Sequence, residues 1–184
     1  NNKPIESGPI VYWMSRDQRA HDNWALLHAA AMADETGGGL AVVFTLAPSF
    51  QDATLRQYAF MLDGLRETEE TLNSHGIPFY LLAGDPVSEL DRFCRDRKVG
   101  TVVTDFDPLD IKRQWKNAFI EKNPVRVLEV DAHNIVPCRK ASEKLEFAAY
   151  TLRPKIHRLL EPYLEEFPGL PETIHTGPFE QQQT

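Results

Sequence analysis

The chain has 184 residues, of which 42% are hydrophobic, and this suits one domain with a substantial core. Its formal net charge of -7 argues against a domain that holds DNA through its overall electrostatic field. No apolar run approaches the roughly 18 residues that a membrane span requires, so a membrane protein is not expected.

Five short apolar runs, rich in β-branched residues, predict β-strands. Most of their side chains are apolar rather than alternating with polar ones, which is typical of a parallel sheet covered on both faces. In chain order, the predicted strands are residues 9–14, 40–46, 77–82, 100–104 and 125–130.

Helical spacing of apolar residues predicts a helix in each interval between these strands. The fourth helix is expected to begin at an Asp107-Pro108 cap and to run through Trp115 and Phe119. Strands that alternate with helices across short loops predict a doubly wound α/β fold with right-handed crossovers. The stripes that define the first three helices are Trp24, Leu27, Ala31 and Met32; Leu55, Tyr58, Leu62, Leu65 and Leu72; and Val87, Leu90, Phe93 and Cys94.

The pattern changes after the fifth strand. A helix is expected over residues 142–150, with Pro154 breaking or restarting it. The segment from Glu165 onward is rich in Pro, Gly and polar residues, which predicts a linker without the apolar density for packing. A continuing apolar face is expected from Ile156, Leu159, Leu160, Tyr163 and Leu164.

Motifs of common catalytic and cofactor sites are missing from the sequence. The turn after the first strand reads MSRDQR over residues 14–19, without GxGxxG, and there is no Walker A, GxSxG or HExxH motif. The two cysteines form no CxxC pair, which indicates reduced thiols and a cytoplasmic protein. The chain starts with neither Met nor a signal peptide, which suggests trimming. A binding domain is favoured over a catalytic one.

Three segments resemble the DNA photolyases that repair cyclobutane pyrimidine dimers, specifically their class II branch. The first is VYWM at residues 11–14, followed by Arg19 and by DNWAL at 22–26. The second is DAHNIVP at 131–137, directly after the fifth strand, and the third is TLRPKIH at 151–157. They occur in the expected order and span nearly the whole chain.

The resemblance implies an N-terminal α/β domain that docks onto a larger helical domain. That second domain holds FAD, admits a flipped-out dimer from UV-damaged DNA and splits it by light-driven electron transfer. The α/β domain can carry a second, light-harvesting chromophore (a deazaflavin, FMN or a folate) that passes excitation to FAD. The implied division is an antenna domain at 1–138, a helical extension at 139–166 and a linker at 167–184 toward the FAD-binding domain. Nothing in this sequence matches that FAD-binding domain, so a repair lyase is expected only of the parent protein and this chain alone is expected to be inactive.

The resemblance also implies a Rossmann-like sheet with strand order 3-2-1-4-5, which reverses between strands one and four. Ligands of such sheets bind beyond the carboxyl ends of the strands at that reversal. We therefore expect a crevice between loops 14–19 and 105–108, with Phe106 offering a stacking face. The alternative is that its charged residues are solvated or cap local turns. The candidate chromophore-binding residues are Met14, Ser15, Arg16, Asp17, Arg19, Asp105 and Phe106.

Several interpretations remain open at this stage. His133 would orient a ligand or contact another domain, or it would fix the turn after strand five together with Asn134. The sequence also has two groups of basic residues. The first would bind phosphate or would simply be solvated, and the second would meet a further domain or a DNA backbone. The crevice would be empty in a purely structural domain. A free-standing nucleotide-binding α/β protein of the stress-protein type would need a Gly-rich phosphate loop where Asp105-Phe106-Asp107-Pro108 stands. The basic groups are Lys112, Arg113 and Lys116, and Arg139, Lys140 and Lys144.

Overall fold

The computed structural model describes residues 1, 3, 8–171 and 174–179. Five parallel strands form one sheet in the order β3-β2-β1-β4-β5, as the resemblance implied. All five predicted strands are confirmed, with shifts of one or two residues at some ends. The strands are β1 (Ile10–Met14), β2 (Leu40–Leu46), β3 (Phe79–Ala83), β4 (Thr101–Asp105) and β5 (Arg126–Val130).

Four helices connect these strands, and local capping explains where several of them begin. Asn23 accepts a hydrogen bond from the Leu26 amide at the start of α1, and Asp85 accepts one from the Ser88 amide at the start of α3. Within the described ranges, none of the helices has the length and apolarity needed to cross a membrane. The helices are α1 (Trp24–Thr36), α2 (Leu55–Ser74), α3 (Pro86–Asp96) and α4 (Asp110–Lys122).

The core lies on both faces of the sheet. Because side chains alternate along a strand, β1 sends Tyr12 and Met14 into the layer beneath α1 and α2 and sends Trp13 into the layer beneath α3 and α4. All five residues of β1 are buried, as are Val42 and Val43 of β2. The central strands are therefore fixed from both sides, and their carboxyl ends present loops in a defined position.

Some predicted helix faces and bounds are wrong. In α1, Ala31 is exposed and Trp24 is only half-buried, because the helix packs on the sheet through small residues that a search for large apolar side chains underrates. In α2, Leu55 is 86% exposed. Helix α4 begins at Asp110 rather than Pro108, since the Asp107 carboxylate accepts from the Leu109 amide and forms a turn first. The buried face of α1 consists of Ala25, Leu26, Ala29, Ala30, Met32 and Ala33.

The predicted helix over residues 142–150 is also wrong. The segment 142–148 is instead a loop between two helices, α5 (Cys138–Ala141) and α6 (Ala149–Leu159), and Pro154 lies inside α6. Ser142 is extended and donates to Glu146, while Lys155 of α6 contacts both side chains. The hydrogen bond from Lys155, together with that from Ser142, lowers the pKa of Glu146 to about 2. Side-chain hydrogen bonds to Lys155 of α6, rather than the backbone hydrogen bonds of a helix, thus stabilise this loop.

The segment after Glu165 packs on the domain in its last described part. The Leu40 amide donates to the His175 carbonyl at 2.9 Å. Phe179 is 3% exposed, with its ring centroid 6.2 Å from that of Phe93 and 6.4 Å from that of Tyr80. The expectation of an unpacked tail is therefore wrong for residues 174–179, whereas residues 180–184 lie outside the described part. That the segment leads toward a further domain stays a prediction.

Phe179→Ala should lower the free energy of unfolding by about 3 kcal/mol, because it leaves a cavity beside Tyr80 and Phe93. Urea unfolding followed by circular dichroism measures the change. Phe147→Ala is the matched control: that ring is 95% exposed, so its removal should change stability by less than about 0.5 kcal/mol. Equal stability of the two variants would contradict the docking of the tail.

Candidate functional site

A cavity of about 360 Å³ opens at the carboxyl ends of β1, β2 and β4. We call it the crevice pocket. The loop after β1 contributes Ser15, Arg16 and Gln18, and the loop after β4 contributes Asp107 and Leu109. Helix α2 and the segment after β2 form the opposite wall. The cavity thus lies where the strand order reverses, which is the position expected for a ligand of this type of sheet.

Apolar and aromatic side chains dominate the wall of the crevice pocket. The rings of Phe50 and Trp115 approach to 6.0 Å between centroids at 53°. The Lys112 ammonium lies 5.1 Å from the Phe50 centroid and 4.9 Å from the Trp115 centroid, within range of a cation–π interaction. Burial lowers the pKa of Lys112, although Asp107 and Asp105 act in the opposite direction. The remaining large apolar and aromatic residues of the wall are Phe44, Leu46, Tyr58 and Met61.

A buried hydrogen-bond network holds the loop after β1. Asp105, at the end of β4, is 2% exposed, and its Oδ2 accepts from the amides of Ser15 and Arg16 at 2.8 Å and of Asp17 at 3.2 Å. Its Oδ1 accepts from the Tyr12 hydroxyl at 2.6 Å, which in turn accepts from Asn23 Nδ2 at 3.0 Å. Because Asn23 also caps α1, one network joins β4, β1, the loop and the helix.

Burial determines the electrostatics of this network. It raises the pKa of Tyr12 well above its usual value, and the charge of Asp105 adds to the effect. Burial also raises the pKa of Asp105, while its hydrogen bonds from Tyr12 and the three amides lower it. Asp17 and Asp107 are buried nearby, so three carboxyl groups cluster at this end of β1 and β4.

The structure brings some of the predicted site residues together and separates others. Ser15 and Arg16 line the crevice pocket, whereas Met14 is a core residue beneath the helices. Asp105 accepts hydrogen bonds from amides of the loop and borders only a void of about 10 Å³ beside the pocket. Phe106 is half-buried, and its amide donates to Val130 of β5; its side chain is not part of the pocket lining.

Asp17 and Arg19 lie toward a second groove of about 540 Å³, on the side of α1 and the β5 loop. Asp17 Oδ1 is 3.4 Å from the Arg19 guanidinium and 3.3 Å from His133 Nδ1. Arg19, Trp24 and His133 line this groove. The predicted site residues therefore divide between two depressions rather than surrounding one crevice.

The DAHNIVP segment owes its shape to Asp131. One of its oxygens accepts from Asn134 Nδ2 at 2.8 Å, and the other accepts from the Cys138 amide at the start of α5. The turn-forming interpretation is thus confirmed for Asn134, while His133 reaches across to Asp17. In the described part of the chain, no group of three or more His, Cys, Asp or Glu side chains is placed to hold a metal ion.

The basic groups are partly neutralised by their neighbours. Lys116 contacts the Glu129 carboxylate, and Arg139 Nη2 lies 3.1 Å from its other oxygen. Arg113 pairs with Asp110 at 3.2 Å on the exposed side of α4. Of these cations, Lys112 belongs to the lining of the crevice pocket, where its ammonium lies near the rings of Phe50 and Trp115.

Sequence reasoning missed the aromatic residues of the pocket. Phe50 lies in the loop after β2, and for Trp115 the sequence pattern predicts only a position on the fourth helix. The signal was available: β2 is the neighbour of β1, so the loop at its carboxyl end also faces the reversal of strand order. The two loops at the reversal of strand order form only part of the pocket, and residues of β2 and of the segment after it form another wall.

Tyr12→Phe should lower the free energy of unfolding by about 1–3 kcal/mol at neutral pH, because Asp105 and Asn23 each lose a buried partner. Since Tyr12 ionises less readily in the folded chain than in the unfolded one, its contribution is complete below pH 10.0 and is lost as the pH rises further. The difference between the two proteins in urea unfolding should therefore shrink above pH 10.0. Tyr150→Phe, at a side chain 79% exposed, is the control. A pH-independent difference would contradict this assignment.

The comparisons with known proteins agree on one family. The family model "DNA photolyase" matches residues 10–172. A deoxyribodipyrimidine photo-lyase of Arabidopsis thaliana is 47% identical over 174 residues, which cover 92% of this chain and 35% of the relative. One from Potorous tridactylus is 48% identical over 165 residues, covering 89% and 31%. The chain thus spans about a third of the length of these relatives.

A solved structure shows the same fold. The cryptochrome of Synechocystis sp. PCC6803 superposes with a TM-score of 0.75 at 14% identity, over 96% of this chain and 38% of that one. This agreement concerns the fold alone, whereas the family model covers most of the described residues and includes all five strands. The chain therefore belongs to the DNA photolyase family.

Proposed function

We propose that this chain is the antenna domain of a class II photolyase for cyclobutane pyrimidine dimers, and that it holds a flat light-absorbing chromophore in the crevice pocket. The family and the identity to photo-lyases support the parent activity, and the segments at 11–26, 131–137 and 151–157 support the class. In this proposal, a helical FAD-binding domain of the same protein binds UV-damaged DNA and carries out the repair, and the α/β domain supplies excitation.

The observation that carries the proposal is the crevice pocket itself. A volume of about 360 Å³ falls within the range of small-molecule sites. The rings of Phe50 and Trp115 offer faces to a planar heteroaromatic ligand. Arg16, Gln18, Gln57 and Lys112 supply hydrogen-bond donors at its edge for the carbonyl groups that deazaflavin, FMN and folate have in common.

The residues of this chain would bind and orient the chromophore rather than react with it. Transfer of excitation depends on a fixed orientation, and the Asp105 network gives the loop that bears Ser15 and Arg16 a single arrangement. Tyr58 is fixed in the same way, because its hydroxyl donates to the Ala47 carbonyl at 3.0 Å. The pocket walls thus come from side chains and loops held by buried or partly buried contacts.

A structural domain without a chromophore is the second candidate, and one observation favours it. The Lys112 ammonium already lies within about 5 Å of both aromatic rings, so a stacked ligand would have to displace it. Such a domain would buttress the FAD-binding domain only. A free-standing nucleotide-binding protein is not proposed, because the family assignment gives it no support.

A fluorescence titration with deazaflavin, FMN and methenyl-folate should show saturable binding of one of them. Trp115→Ala should weaken that binding about tenfold or more, because it removes a stacking face and apolar contact area. Phe60→Ala is the matched control, since that ring is 84% exposed on α2 and lies outside the pocket lining. Phe106→Ala should also leave the affinity nearly unchanged.

Loss of binding in Phe106→Ala with no loss in Trp115→Ala would contradict this site. It would indicate that the chromophore binds instead in the crevice between loops 14–19 and 105–108 that the sequence predicts. No binding of any of the three chromophores would leave the structural domain as the function that the geometry supports.

The chain alone should not repair DNA. Illumination of a dimer-containing oligonucleotide with the chain and reduced FAD should give no repaired product above the protein-free reaction. The reason is that the proposal places electron transfer in the FAD-binding domain. Product formed in proportion to the amount of chain would overturn the assignment of repair to the FAD-binding domain.

A further inference from the structure

Three consecutive amide groups converge on one oxygen atom at the end of β1. The Ser15, Arg16 and Asp17 amides donate to Asp105 Oδ2 at 2.8, 2.8 and 3.2 Å. Successive backbone N–H groups that point at one place form an anion-binding concavity, and many phosphate sites of α/β proteins use this arrangement. In this chain the anion is a side chain of the neighbouring strand.

We propose that Asp105 is a specificity-determining residue of the crevice pocket, because its carboxylate fills this anion site from within and excludes a ligand phosphate from it. The inference rests on the proposed function and deepens it. The pocket would then select a chromophore that presents an uncharged ring or polyol at the end of β1, in preference to one that presents a phosphate there.

The surroundings of Asp105 support this exclusion. The void beside its side chain measures about 10 Å³, which is the space of roughly one water molecule and too small for a phosphate group. Asp17 and Asp107 are buried at the same end, while Lys112 and Lys116 line the void, so the charges around the site are of both signs and it is the lack of space that excludes a phosphate.

Hydrogen bonding fixes the carboxylate in this position. Asp105 Oδ1 accepts from the Tyr12 hydroxyl at 2.6 Å, so both oxygens have donors. A ligand phosphate would have to displace a carboxylate that has four hydrogen bonds and lies 2% exposed. The loop therefore keeps its shape without a bound anion, as a site for an uncharged ligand requires.

Asp105→Ala tests the inference, because it empties the anion site and leaves its three amides in place. Inorganic phosphate should then raise the melting temperature by roughly 3–6 °C for each tenfold increase above its dissociation constant. The wild-type chain and Asp110→Ala, which removes an exposed carboxylate at the same end of the sheet, should show no such rise. Sodium chloride at equal ionic strength controls for screening. An Asp105→Ala chain that folds in chloride but is not stabilised by phosphate would overturn the inference.

If Asp105→Ala does not fold in chloride, refolding in phosphate alone would support the inference. If it folds in neither, Asp105→Ser decides, because its hydroxyl can still accept from an amide, whereas the shorter side chain removes the charge and leaves room in the anion site. The affinity for FMN relative to that for riboflavin should then be several-fold higher than in the wild type. An unchanged relative affinity would overturn the inference.

The flavin titration separates the two proposals. Stabilisation of Asp105→Ala by phosphate, with no flavin or deazaflavin bound by any variant, would support the assignment of Asp105 and refute the antenna function. Chromophore binding by the wild type, with no effect of phosphate on a folded Asp105→Ala, would support the antenna function and refute the role of Asp105.

Discussion

One carboxylate organises the end of the sheet at which the candidate site lies. Asp105 ends β4, accepts three amides of the loop after β1 and one hydroxyl of β1, and so ties two adjacent strands to the loop between sheet and helix. Burying a charge is unfavourable, and here four donors offset part of that effect, although burial still raises the pKa of Asp105. The position of Ser15 and Arg16 in the crevice pocket depends on this constraint.

The crevice pocket is a consequence of topology combined with a few large side chains. Strand order reverses between β1 and β4, which separates the helices on either side and leaves room between their loops. Phe50 and Trp115 line that room, so it presents aromatic faces rather than exposed backbone.

The fold could be predicted from the sequence because buried parallel strands have a clear apolar signature and because apolar residues at helical spacing occupy the segments between them. The packed tail could not, since Phe179 is a single apolar residue in a polar segment and its partners Tyr80 and Phe93 are distant in sequence. Asp105 was predicted as a ligand-binding residue; only the three-dimensional contacts show that it binds the loop. The sequence does not indicate that the amides of residues 15–17 all donate to the same oxygen of Asp105.

The sequence predicts a site at the end of the sheet where the crevice pocket lies, with Phe106 as its aromatic face, whereas Phe50 and Trp115 are aromatic residues that line the pocket. A crystal structure of the chain with bound deazaflavin tests the account most directly. The ring system is expected in the crevice pocket against Phe50 and Trp115, with Asp105 still accepting hydrogen bonds from the three amides. A ring in the second groove beside Trp24, or a ligand group in place of the Asp105 carboxylate, would contradict it.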